Sequence, residues 1–162
     1  NSKLISNNIE ISEDYFNQLL GLASELDLKK EALLGLLESQ FQLYKYSDII
    51  STISNSIQKD LFSGKDYLRV RYLRGYSSYK VNSTVDALSD FKWLIDNSEG
   101  ALRAESCYYA SIILHQQKKY IEAQKIIFQL INELPTYTLW IDRSLLLLSK
   151  IEMYLFFNFL FL

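Results

Sequence analysis

Residues 65 to 80 gather the side chains best suited to recognition: Lys-Asp-Tyr-Leu-Arg-Val-Arg-Tyr-Leu-Arg-Gly-Tyr-Ser-Ser-Tyr-Lys. Lys65, Arg69, Arg71, Arg74 and Lys80 stand there against one acid, Asp66. On a helix Lys65, Arg69, Tyr72, Tyr76 and Tyr79 fall at steps of 4, 3, 4 and 3, a single stripe. Tyr offers a large ring with a polar tip, and Arg offers a fork of donors that matches a carboxylate. The stripe is expected to hold an extended or helical peptide with an acidic group near Arg69. A second reading has the tyrosines packing between neighbouring helices, hydroxyls at the rim. Stacking of single-stranded nucleic acid on Tyr72, Tyr76 and Tyr79 ranks third. The 17 basic and 19 acidic side chains argue against a nucleic-acid binder, for which a basic excess is expected.

Catalytic chemistry finds little material. The single histidine, His115, lies in Leu114-His115-Gln116-Gln117 with no Asp or Glu within one helical turn. It reads as a groove or surface residue, not a general base. Cys107, the single cysteine, falls on a helix face that packs and reads as a small buried hydrophobe. One His and one Cys do not make an ordinary zinc site, and no internal disulfide can form. There is no phosphate-cradling glycine loop and no G-x-S-x-G turn. Asp86, Asp90 and Asp96 are dispersed on a helix whose other side is apolar, so they read as a solvated face. The expectation is a non-enzyme with no cofactor and no metal.

The elements that would carry these residues are helical. Ile49, Ile50, Ile53 and Ile57 form one stripe of a 3.6-residue period. Val85, Leu88, Phe91, Leu94 and Ile95 form a second; Ala123, Ile126, Ile127, Leu130, Ile131 and Leu134 form a third. No stretch alternates long enough for a strand. The 162 residues contain only 5 Gly and 1 Pro, which argues against a turn-rich β fold. Asp27, Ser63-Gly64, Asn82-Ser83, Asn97-Ser98 and Pro135 fall between the stripes as stop and start signals, Asn as a C-terminal cap and Ser as an N-cap. An all-α fold of about eight helices follows.

Self-similarity sharpens this. At an offset of 36 residues Ala87 meets Ala123, Phe91 meets Ile127, Leu94 meets Leu130, Ile95 meets Ile131 and Gly75 meets Ser111. At an offset of 38, Ile49 meets Ala87, Ile53 meets Phe91 and Ile57 meets Ile95. Gly75, Ser111, Ala87 and Ala123 are small where two helices would cross closely. The unit running from Ala104 through Ala110, Ser111, Tyr120 and Ala123 to Pro135 resembles the tetratricopeptide repeat (TPR). Further copies cover about 68–98, with Gly75, Ala87 and Phe91, and about 30–60, with Tyr46. A helix over 13–26 precedes them and a half-repeat over 137–162 follows, making one repeat domain over 1–162.

The resemblance implies a right-handed α-solenoid of antiparallel helix pairs, first helices lining a concave face. That face is expected to carry Lys65, Arg69, Tyr72, Tyr76, Tyr79, Tyr108 and His115, with a protein or peptide as partner. The basic stripe is similar to the clamp with which some TPR domains hold a peptide's C-terminal carboxylate. Apolar half-units at both ends suggest a fragment of a longer array. The relaxed use of Asn, Ile, Lys, Ser and Tyr suggests an AT-rich genome, and the type is similar to bacterial envelope assemblies; a cytoplasmic location stays equally open.

The last segment, Met153 to Leu162, is ten uncharged residues. It falls short of the roughly 20 apolar residues a membrane-spanning helix needs, and going backwards it meets Glu152, Lys150, Arg143 and Asp142. It reads as a helix end that packs on something. The alternative to a peptide scaffold is thus an assembly segment that self-associates through Phe156, Phe157, Phe159 and Phe161.

Overall fold

The computed structural model describes residues 2–56 and 61–160. Ile57 of the first apolar stripe, and Phe161 and Leu162 of the tail, lie outside the described residues. Eight helices and no strand occur among the described residues: α1 (Ser2–Leu22), α2 (Leu26–Gln42), α3 (Tyr46–Ser56), α4 (Gly64–Lys80), α5 (Thr84–Asn97), α6 (Gly100–Gln116), α7 (Tyr120–Glu133) and α8 (Thr138–Leu160). The chain divides into two units, Asn1–Ser83 and Thr84–Leu162.

The helix boundaries carry the spacing seen in the side chains. α2, α4 and α6 are each 17 residues long. Their starts, Leu26, Gly64 and Gly100, lie 38 and 36 residues apart, and so do the starts of α3, α5 and α7. The connections repeat bond for bond. Leu43, Tyr44 and Lys45 donate backbone N–H groups to the carbonyls of Ser39, Phe41 and Gln40. Val81, Asn82 and Ser83 do the same to Ser77, Tyr79 and Ser78, and Gln117, Lys118 and Lys119 to Ile113, His115 and Leu114. This is the Schellman arrangement, which satisfies the last carbonyls of a helix by turning one residue left-handed. The left-handed residues are Tyr44, Asn82 and Lys118, with φ of 60°, 64° and 60°. Asn82 thus fills the C-terminal role its residue type suggests.

Three boundaries differ from expectation. Asp27, expected between two helices, lies in the first turn of α2, which begins at Leu26. α1 starts at Ser2, not near 13. Its first half is rich in Ser and Asn, weak helix formers that hid the element. Ser98, expected as an N-cap, instead donates its hydroxyl to the Leu94 carbonyl at 2.6 Å, and Glu99 occupies the cap position of α6.

In the first unit α1 packs on α2, α2 on α3 and α4, and α3 on α4. Ala32, Leu33, Leu36, Leu37, Ile49, Ile53, Val70 and Leu73 are buried between them. Gly35 of α2 lies under the ring of Phe16, where a β-carbon would overlap the ring. Glu13, buried on α1, accepts from Lys45 at 2.7 Å.

In the second unit α5 packs on α6, α6 on α7 and α8, and α7 on α8. Ala87, Phe91, Leu94, Ala104, Cys107, Ala110, Ile113, Leu114, Ala123, Ile127 and Leu130 are fully buried. Asp90, expected on a solvated face, is buried at 1% exposure, whereas Asp86 and Asp96 are exposed. α8 runs unbroken through Phe156-Phe157-Asn158-Phe159 and buries only Ser144 and Ile151.

Candidate functional site

The stripe on α4 forms, with α2, an aromatic and ionic cluster inside the first unit. Arg69 donates from Nε and Nη2 to the two carboxylate oxygens of Glu38, at 2.6 and 2.7 Å. Its guanidinium also lies 5.6 Å from the ring centres of both Phe41 and Tyr72. Tyr72 stacks on Tyr76 at 5.9 Å, and Tyr76 meets Phe41 edge-on at 5.3 Å. Lys80 lies 5.2 Å over the Tyr76 ring, and its ammonium is held above the usual lysine range chiefly by its hydrogen bond with the Tyr76 hydroxyl. Burial raises the Tyr46 phenol beside it. Tyr72 is buried, Tyr76 and Tyr79 are half-buried, and Lys65 is exposed. The acidic group expected of a partner near Arg69 is therefore supplied by the chain itself, as Glu38.

The other two expected residues, Tyr108 and His115, line a groove of about 330 Å³ in the second unit. α6 contributes Tyr108, Ile112, His115 and Gln116; α8 contributes Arg143, Leu146, Leu147 and Lys150. Trp140 sits 5.5 Å from Tyr108, and the Arg143 guanidinium lies 5.0 Å from the Trp140 ring and 5.9 Å from Tyr108. His115 meets the ring of Tyr120 edge-on at 5.5 Å. No carboxylate lines this groove. Among the described residues neither Arg143 nor Lys150 has an ion-pair partner. Sequence reasoning missed both, because they entered it only as charges interrupting an apolar run. The available signal was Trp140, Arg143, Leu147 and Lys150 at steps of 3, 4 and 3, the same stripe pattern seen on α4.

A smaller depression of about 280 Å³ between α5 and α7 is crossed by the Lys92–Glu122 pair at 3.3 Å. Among the described residues no three His, Cys, Asp or Glu side chains converge as metal ligands. Cys107 is buried, and loss of solvent pushes its thiol up to about 12, so the nucleophilic thiolate is suppressed. No helix among the described residues is long and apolar enough to cross a membrane. Comparison with protein-family models, with curated proteins and with solved structures finds no match.

Proposed function

We propose that the chain is a non-catalytic scaffold of TPR-like helix pairs, a right-handed α-solenoid, that binds a peptide or protein segment on its concave face. The observation that carries this reading is the α6–α8 groove, lined by Tyr108 and His115, by the aliphatic Ile112, Leu146 and Leu147, and by two cations without carboxylate partners. Such a mixture suits protein recognition, where aromatic and Arg side chains supply most of the binding energy. The repeated boundaries and turns of α2–α3, α4–α5 and α6–α7 favour a repeat array. So do the cross-contacts. Arg103 pairs with Glu133 and His115 meets Tyr120, contacts that favour antiparallel α6 and α7. Tyr108 meets Trp140, and His115 and Lys150 line the same groove further along the two helices, which favours α6 and α8 running the same way.

The test uses His115, the only histidine, whose imidazole Cε1–H gives a single signal in an NMR spectrum. Peptides enriched on this protein from a random phage-displayed library should shift that signal on titration. Failure to enrich any peptide, or enriched peptides that leave His115 unmoved, would overturn the reading.

A second reading is favoured by the end of α8. Phe156, Phe157, Phe159 and Leu160 are 62%, 52%, 84% and 57% exposed, a run of large apolar side chains that water disfavours. In that reading the chain self-associates through this end. Light scattering after size exclusion would then give a multimer for the whole chain and a monomer for a chain ending at Leu155. A monomeric whole chain removes it.

A further inference from the structure

We infer that the α6–α8 groove recognises an acidic peptide segment in which two carboxylate side chains flank an apolar residue; this rests on the groove being a peptide site. The Arg143 guanidinium lies over the Trp140 and Tyr108 rings, 5.0 and 5.9 Å from their centres. A cation–ring contact does not consume the N–H donors of a guanidinium, and these are the groups that grip a carboxylate in two places. The guanidinium is thus held in place before a ligand arrives, which reduces the entropy lost on binding.

Lys150 lies on the same groove, two helical turns further along α8. Seven residues of helix separate the two cations by roughly 10 Å. One chain-terminal carboxylate would satisfy only one of them. Two internal acids three residues apart on a polyproline II-like peptide, which turns once every three residues and rises roughly 3.1 Å per residue, share one face and span about the same distance. Ile112, Leu146 and Leu147 line the same groove and offer aliphatic contact to an apolar side chain between those acids. No groove residue is acidic, so nothing in its lining competes for the cations. The contrast with α4 is instructive: there Arg69 is already gripped in two places by Glu38.

The experiment selects from a random phage-displayed peptide library, which presents internal side chains and no free C-terminus. It uses the whole chain and its Arg143→Glu/Lys150→Glu variant. Both positions are exposed, so the variant is expected to keep its helical circular dichroism and its melting transition. The expected result is enrichment of Asp or Glu at positions three apart around Leu, Ile or Phe, and a shift toward Lys and Arg for the variant. Arg143→Ala alone should weaken a selected acidic peptide at least about fivefold, as loss of a charge-assisted contact implies. If the selected peptides are neutral or basic yet move the His115 signal, the groove reading stands and the acidic inference falls. Acidic peptides that bind the charge-reversed variant equally well also overturn it. If no peptide is enriched, both fall. If the variant loses its fold, Arg143→Gln and Lys150→Gln made singly carry the same comparison.

Discussion

Arg69 of α4 and Glu38 of α2 form a two-point ion pair, Nε to Oε1 at 2.6 Å and Nη2 to Oε2 at 2.7 Å. Both side chains keep partial access to water, 41% and 36% exposed, so screening limits the pair's contribution. Its geometry still places it above an ordinary surface pair. A double-mutant cycle of Arg69→Ala and Glu38→Ala, read by urea denaturation, should return a coupling of about 1 kcal/mol. Arg69→Ala should cost more than Glu38→Ala, because it also removes the contacts with Phe41 and Tyr72. A coupling near zero would mean that the pair is held by packing alone.

Gly35 should resist replacement. Alanine ordinarily stabilises a helix interior by about 1 kcal/mol relative to glycine. Here the added methyl meets the Phe16 ring, and α1 must move away from α2. Gly35→Ala is expected to lower stability by about 1–3 kcal/mol, the usual range for overpacking. A raised unfolding midpoint would show that Phe16 simply turns aside.

The three left-handed turn residues invite the opposite change. Lys118 holds φ at 60°, where a side chain costs energy that glycine avoids. Lys118→Gly should stabilise the chain by about 0.5–1 kcal/mol, net of the extra freedom glycine gives the unfolded state. Asn82→Gly should gain less, because Asn tolerates this conformation. Tyr44→Gly should fall between the two, since it forfeits the 6.3 Å ring contact with Tyr46. Thermal melts of the three variants would reveal a wrong ranking directly.

Cys107 should be inert to thiol reagents in the native chain at pH 8 and react at the rate of unfolding. Its thiol lies at about 12 when folded, against an ordinary 9.0, because burial disfavours the thiolate. The unfolded chain therefore releases this proton first as pH rises past 9.0, and stability should fall between pH 9.0 and about 12. The slope is at most about 1.4 kcal/mol per pH unit. Lys45, raised by its hydrogen bond with Glu13, adds a loss of the same sign above 10.5. Cys107→Ala should flatten the melting-temperature profile between pH 9 and 10. An unchanged profile would count against a desolvated thiol.

Much of the backbone was legible beforehand because it depends on local signals. The apolar period marked most of the helices, and the offsets of 38 and 36 read from Ile49, Ala87 and Ala123 recur in the helix starts. Asn82 announced its left-handed turn, while Tyr44 and Lys118 adopt the same turn with residue types that give no hint of it. There the bonding needs of the helix end override side-chain preference. The recognition stripe was legible only as a pattern. Its residues do share a helix, but whether Arg69 meets a partner or Glu38 depends on a residue 31 positions earlier.

A helical chain, the spacing of its elements and the packed setting of Cys107 follow from the residues alone, because periodicity and caps are local signals. Tertiary structure decided which charges are already paired. It buried Tyr72 and Asp90, closed Arg69 onto Glu38, and set Arg143 and Lys150 beside Tyr108 and His115. Pairing of charges is a property of distance in space. A stripe on one helix fixes only one partner of each contact, and packing against the next helix supplies the other.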